Sequence, residues 1–284
     1  MSFCMLLVAA ITSTAVNFIA KQFNKRSGGI YFYTMLAAVF SAIVFLFSVS
    51  DWSVSADMFF YSLWFAAMHC ISISCSVNAY KYGSFALTVL IISYSLLIPT
   101  FYGILFLHEK ITTNYIIGLV LVILSIFLTS NLCSQQKKAK HKKPNIKWII
   151  FVTLAFLGGG MCSVAQRLGQ MHCENASLTM VLAFFQVAVY CGILGMVFEK
   201  KEWRSFCQSG WRFSVICGIF NGITNLFVII LNTRINASIM FPVISAFMLL
   251  VSFVCSLCFY REKLNRQQII GYFIGLVSVI ILNC

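Results

Sequence analysis

Residues Phe106–Gly118 read FLHEKITTNYIIG, and residues Phe259–Gly271 read FYREKLNRQQIIG. Six of the thirteen positions are identical (Phe, Glu, Lys, Ile, Ile, Gly), at a constant offset of 153. Each copy closes one long apolar run and opens another: Ser84–Leu107 and Thr113–Thr129 in the first half, Ala237–Tyr260 and Gln268–Leu282 in the second. A unit that recurs at half the chain length points to duplication, and it sets the expected architecture.

Outward from that repeat the composition is uniform. The 284 residues are 61% hydrophobic and 10% charged, with a mean hydropathy of +0.92. A soluble domain holds roughly 45–50% apolar and about 25% charged residues. The apolar material falls into runs of about 20 residues, the length that crosses a hydrocarbon core of ~30 Å. The expected fold class is therefore an all-α membrane protein with ten transmembrane helices, at approximately 2–20, 30–50, 58–78, 84–107, 113–131, 148–167, 177–198, 213–232, 238–260 and 268–283. A β-barrel would instead show short alternating strands, which the sequence lacks.

The net charge of +13 does not indicate nucleic-acid binding, because the basic residues sit in short loops between spans. Most of the 12 cysteines lie within apolar runs, where they act as small hydrophobes and not as a disulfide framework. The pair Cys255 and Cys258 lies within a span, and no metal site is expected from it. The first apolar run begins without a basic leader or a clear cleavage site, so no removable signal peptide is expected.

One extended polar linker, residues 134–147, carries Lys137, Lys138, Lys140, Lys142, Lys143 and Lys147. It separates a first five-helix repeat, 1–133, from a second, 148–284. Loops after odd-numbered spans hold 17 Lys and Arg, and the other side holds only Lys110, Arg167 and Arg234. That bias places the linker in the cytoplasm and both termini outside a cell membrane. With five spans per half, the two repeats enter the bilayer in opposite directions, an arrangement that secondary transporters use for alternating access.

Further correspondences support the doubling. Thr34-Met35 matches Thr179-Met180, which sets Ser41 opposite Gln186; Lys81 matches Arg234, Ser72 matches Asn225, and Asn17 corresponds to Gln166. With the FLHEKIT and FYREKLN turns, Asn17–Lys21 (NFIAK) and Ala79–Ala86 (AYKYGSFA), the chain resembles the EamA-type members of the drug/metabolite transporter superfamily along its whole length. His108 and Arg261 depart from the Gly usual in that family before the turn Glu, and its Trp-Gly pair is missing from the first span. The resemblance implies transport of a small metabolite and leaves the substrate open.

Polar side chains in mid-span are costly in hydrocarbon and mark a partner or a watery path. Span three carries Ser62, His69, Ser72 and Ser76 on one helical stripe, and span eight carries Asn221, Asn225 and Asn232. Span six adds Ser163, Gln166 and Gln170; span seven adds Thr179, Gln186 and Tyr190; span one adds Ser13 and Asn17. The candidate substrate-binding set is Asn17, His69, Ser72, Gln166, Gln186, Tyr190, Asn221 and Asn225, with helix-to-helix hydrogen bonding as the competing account. His69 is the one titratable group at mid-span depth and the candidate for proton coupling; a neutral packed imidazole is the alternative.

All seven acidic residues, Asp51, Asp57, Glu109, Glu174, Glu199, Glu202 and Glu262, lie in loops or at span ends. Cation–proton antiport through a buried carboxylate is thereby disfavoured. Glu109 and Glu262 read as caps of the helices that follow them. Gly158-Gly159-Gly160, Pro99 and Pro242 are candidate bending points, and the five tryptophans read mainly as interfacial anchors.

The expected function is a secondary carrier of a small organic metabolite, with an amino acid or related solute as the first guess. A lipid or lipid-linked sugar flippase and a broad drug exporter are the alternatives. No phosphate-binding loop and no mid-span catalytic set occurs, so neither an ATP-driven pump nor an enzyme is expected. The expected partners are a small-molecule substrate and the lipid bilayer, with no cofactor, no nucleic acid and no obligate protein.

Overall fold

A computed structural model describes residues 2–26, 28–49, 52–106, 113–130, 146–173, 175–232, 237–259 and 266–281. The turn glutamates Glu109 and Glu262, linker residues 134–145, Lys110 and Arg234 lie outside the described residues. Among those described, the chain is helical and contains no strand. The helices are α1 (Ser2–Arg26), α2 (Ile30–Leu46), α3 (Ala56–Tyr82), α4 (Phe85–Ser93), α5 (Leu97–Phe106), α6 (Thr113–Ser130), α7 (Ile146–His172) and α8 (Ala176–Phe198). Then follow a short turn α9 (Trp203–Ser205), a π-helical step Phe206–Gly210, α10 (Trp211–Asn232), α11 (Ala237–Cys258) and α12 (Arg266–Ile281).

Each expected span falls on a helix, with boundaries shifted by a few residues. The fourth is divided: a 3₁₀ turn at Tyr94–Leu96 separates α4 from α5. Pro99 causes this, because it has no N–H for the carbonyl four residues earlier and its ring crowds that carbonyl. Pro242 has no such effect, and α11 runs across it unbroken. Local capping sets other ends. Ser55 accepts from the Met58 N–H at 3.2 Å ahead of α3, and Asn175 accepts from the Leu178 N–H at 3.0 Å ahead of α8.

Ala56–Tyr82, Ile146–His172, Ala176–Phe198 and the run Lys200–Leu231 are long and apolar enough to cross a membrane. Large apolar side chains such as Phe47, Leu105, Phe185 and Val197 stand on the outer surface, Phe47 at 89% exposure. A soluble protein does not carry such a belt, whereas a bilayer covers it.

The helices of the first half pack mainly on helices of the second. The main pairings are α3 with α7, α2 with α8, α2 with α10, α6 with α12, α1 with α10, and α3 with α8. They obey an exchange rule. The α3–α7 pair is matched by α10–α1, α3–α8 by α10–α2, and α7 against α4 and α5 by α1 against α11. Contacts of α1 with α3 and of α11 with α12 have no counterpart of similar extent among the described residues.

Small residues let two of these pairs approach closely. Gly218 lies against Ala37 and Gly222 against Val44, so α2 and α10 run side by side in the same direction. Gly158 packs on the backbone of Met68 and Ser72, which joins α7 to α3 with opposite polarity. The three-glycine run therefore serves close contact, and α7 continues through it. At the far side Tyr94 donates to Ser125 Oγ at 2.7 Å, and Ser125 Oγ donates at 2.7 Å to the carbonyl of Gly271, the last residue of the repeated stretch.

Candidate functional site: a cleft between α3, α7 and α8

The cleft is built from one end of three helices. Tyr61 and Phe65 come from α3, and Ala165, Gln166, Gly169 and Gln170 from α7. Ala176, Thr179, Met180 and Ala183 of α8 complete the wall. It is narrow and partly open to the exterior. Its exposed wall is almost entirely apolar; Tyr61, Gln166, Gln170 and Thr179 are the polar residues along it, and no charged side chain lines it.

Gln166 is the distinctive group. Its Nε2 is buried and has no hydrogen-bond partner among the described residues. Beyond Ala183, one turn along α8, Gln186 donates from Nε2 to Ser62 Oγ at 3.1 Å, while its buried Oε1 has no partner. A buried polar atom left unsatisfied costs about 1–3 kcal/mol, so the orphan Gln166 donor at the cleft is a ready-made match for a hydroxyl oxygen.

His69 sits deeper along the same α3 stripe. Its ring stacks on Phe65 at 5.1 Å, meets the edge of Phe184 at 5.4 Å, and brings Nδ1 to 3.7 Å from Cys162 Sγ. Tyr190, one turn beyond Gln186, packs with the same apolar cluster. Ser72 donates to the Ala155 carbonyl at 3.3 Å and belongs to the α3–α7 seam.

The remaining candidates lie on other seams. Asn17 accepts from Tyr80 Oη at 2.8 Å and donates to Met248 Sδ at 3.2 Å, which joins α1 to α3 and α11. Asn221 donates to Ser41 Oγ at 3.2 Å, and Ser41 donates to the Gly218 carbonyl at 2.9 Å. Asn225 folds back on Asn221, with 2.8 Å to its carbonyl and 3.2 Å to its side-chain oxygen. All five amides are partly buried and none faces outward. They divide among separate seams; Gln166 lines the cleft, and Gln186 is bonded to Ser62 between α8 and α3.

Tyr61 and Phe65 were missed as wall residues from sequence. The available signal was their position: Tyr61 precedes Ser62, and Phe65 lies one turn before His69 on that stripe. Among the described residues no group of three or more His, Cys, Asp or Glu is placed to hold a metal ion.

Comparison with known proteins adds identity to this geometry. The model of the sugar transport protein family matches residues 5–284. The chain is 24% identical over 185 residues to a probable glucose uptake protein, GlcU, of Priestia megaterium, covering 63% of this chain and 61% of that protein. It is 23% identical over 189 residues to a probable glucose uptake protein, GlcU, of Bacillus cereus, covering 65% and 63%. The chain thus spans a little over three fifths of the length of these curated relatives. A solved crystal structure with 11% identity superimposes with a TM-score of 0.65 over 99% of this chain and 95% of that one, a likeness of fold. An outward apolar belt and a family match over nearly the whole chain agree: this membrane-embedded protein belongs to the sugar transport protein family.

Proposed function

We propose that the protein is a secondary carrier that takes up a sugar, with glucose as the first substrate to test, through the cell membrane and without ATP. Two inverted five-helix halves, 1–133 and 148–284, alternate access to a site between them, consistent with the exchange-matched helix pairings. The EamA-like turns fit the same reading, as members of a wider set of carriers built by duplication.

The observation that carries the proposal is the unpartnered buried Gln166 Nε2 at an uncharged cleft walled by Tyr61 and Phe65. A sugar hydroxyl both donates and accepts, so it satisfies the Gln166 amide without a charge. The apolar face of a pyranose ring lies well against an aromatic wall. A zwitterionic amino acid needs charged partners for its carboxylate and ammonium, and the cleft lining supplies none. A sugar therefore takes precedence over the amino acid expected from sequence.

The test is uptake of radiolabelled glucose into proteoliposomes, with unlabelled sugars and amino acids as competitors. Saturable uptake that other hexoses compete for and amino acids do not is the expected result. Amino-acid uptake without sugar uptake overturns the proposal, and headgroup-dependent lipid scrambling would move it to the flippase class.

A further inference from the structure

We infer that the start of the run Lys200–Leu231 is a docking surface for anionic phospholipid, with Arg204 and Arg212 binding phosphate-bearing headgroups and Trp203 and Trp211 lying at the glycerol and upper acyl level. This surface stands at the opposite end of α8 from the cleft, and the carrier reading does not require it.

Helical spacing sorts the segment into three stripes. Phe206, Gly210 and Ser214, four residues apart, are buried and face the bundle. Arg204, Gln208 and Arg212, also four apart, are exposed. At roughly 100° per residue, the two positions between Arg204 and Phe206 put the basic stripe on the far side of the helix from the buried one. Trp203, Cys207 and Trp211 run between them, with the two indoles 47% and 43% exposed. A buried stripe, an aromatic edge and a basic outer face are the pattern of a helix at a bilayer surface.

The acidic residues of this end are turned inward. The Glu199 carboxylate accepts from the Ile30 N–H at 3.0 Å and the Tyr31 N–H at 2.8 Å, and the Glu202 carboxylate lies against Gly28. Among the described residues of the segment, the outward face therefore carries Lys200, Lys201, Arg204 and Arg212, all exposed, while its carboxylates point the other way. The end of α1 adds a further cation. Ser209 Oγ donates to the Arg26 carbonyl at 3.5 Å, and the Arg26 guanidinium lies 5.8 Å from the Phe213 ring centroid.

The apolar surroundings say what meets this face. Met196, Val197 and Phe198, in the last turn of α8, are all strongly exposed and carry the outward belt up to Lys200. The basic residues thus stand where hydrocarbon gives way to headgroups. A soluble acidic partner would leave those side chains and both indoles in water, whereas a lipid leaflet covers them all. Guanidinium groups pair with phosphate through parallel N–H bonds, and each basic residue near the surface favours a headgroup of net negative charge. Membrane orientation asks only that basic residues lie near a span, and it asks for no such division into faces.

The test is displacement of a fluorescent phosphatidylglycerol from the purified protein in detergent. Unlabelled phosphatidylglycerol is expected to compete about tenfold better than phosphatidylcholine, with a preference that shrinks as salt is raised. Arg204→Gln/Arg212→Gln is expected to remove most of that preference. Lys137→Gln/Lys138→Gln, which takes the same charge from the linker, is expected to keep it. An equal loss in the linker variant, no preference in the unaltered protein, or competition by inorganic phosphate as strong as by phosphatidylglycerol each overturns the inference. A second readout locates the surface. In vesicles of phosphatidylglycerol brominated on its acyl chains, the emission that Trp203→Phe/Trp211→Phe removes should be strongly quenched by the lipid. If that emission is quenched by aqueous iodide and not by brominated lipid, the face lies in water and the inference fails.

Discussion

Gln166 separates stability from function at a single residue. An orphan buried Nε2 destabilises the empty protein, so Gln166→Met, of similar length and apolar, should raise the thermal midpoint by the equivalent of about 1 kcal/mol while weakening sugar uptake five- to tenfold. A paired decrease in both measurements would assign Gln166 to helix packing. Glu199 offers a pH handle outside the spans. Burial pushes its carboxyl above the ordinary carboxylate range, against the opposing pull of the Tyr31 and Ile30 N–H groups. The folded state then holds this proton more tightly than the unfolded chain. Its contribution is present at low pH and is lost as pH rises through the folded pKa. Glu199→Gln should flatten that part of the stability profile, read as thermal midpoint from about pH 4 to about pH 7. For His69, the proposed proton-coupling role predicts that His69→Gln removes the pH dependence of uptake between about pH 5 and 8. A profile unchanged from wild type leaves the ring to its packing on Phe65 and Phe184.

Individual helices show which local rules the bilayer fold obeys and which it overrides. Pro99 and Pro242 look alike in sequence, yet a 3₁₀ turn interrupts the ladder only before the first. The α2–α10 pair shows what a helix surface must be for two backbones to meet. A Cβ at Gly218 would run into the Ala37 carbonyl oxygen, a backbone atom that moves only if the helix does. Gly218→Ala should therefore force α2 and α10 apart and destabilise the protein by about 1–3 kcal/mol, seen as a lower thermal midpoint in detergent. An unchanged midpoint would mean that the two helices slide freely. The repeated stretch has a similar local role: its closing Gly271 leaves a carbonyl open to Ser125, which the buried Tyr94 hydroxyl completes.

For the molecule as a whole, orientation is the statement most open to direct measurement. The proposed inverted halves place residues 134–147 in the cytoplasm and both termini outside. A protease site inserted in that linker should be cut in intact spheroplasts only after permeabilisation, whereas a tag on either terminus should be cut without it; the opposite pattern inverts the bundle. Composition alone determined that the chain lives in a membrane as helices. An apolar run of about 20 residues has few other ways to satisfy its backbone in hydrocarbon, and that rule is local. The doubling was legible for the same reason, since FLHEKITTNYIIG and FYREKLNRQQIIG can be matched without knowing what touches them. The grouping of polar stripes was not legible. Asn17, Gln186 and Asn221 read as one set, yet packing gave Asn17 to Tyr80 and Met248, Asn221 to Ser41, and Gln186 to Ser62. Periodicity tells which residues share a face of one helix. Which neighbour that face meets, and whether a cleft or a seam results, depends on the rotation and approach of whole helices, and contacts between residues far apart in the chain decide it.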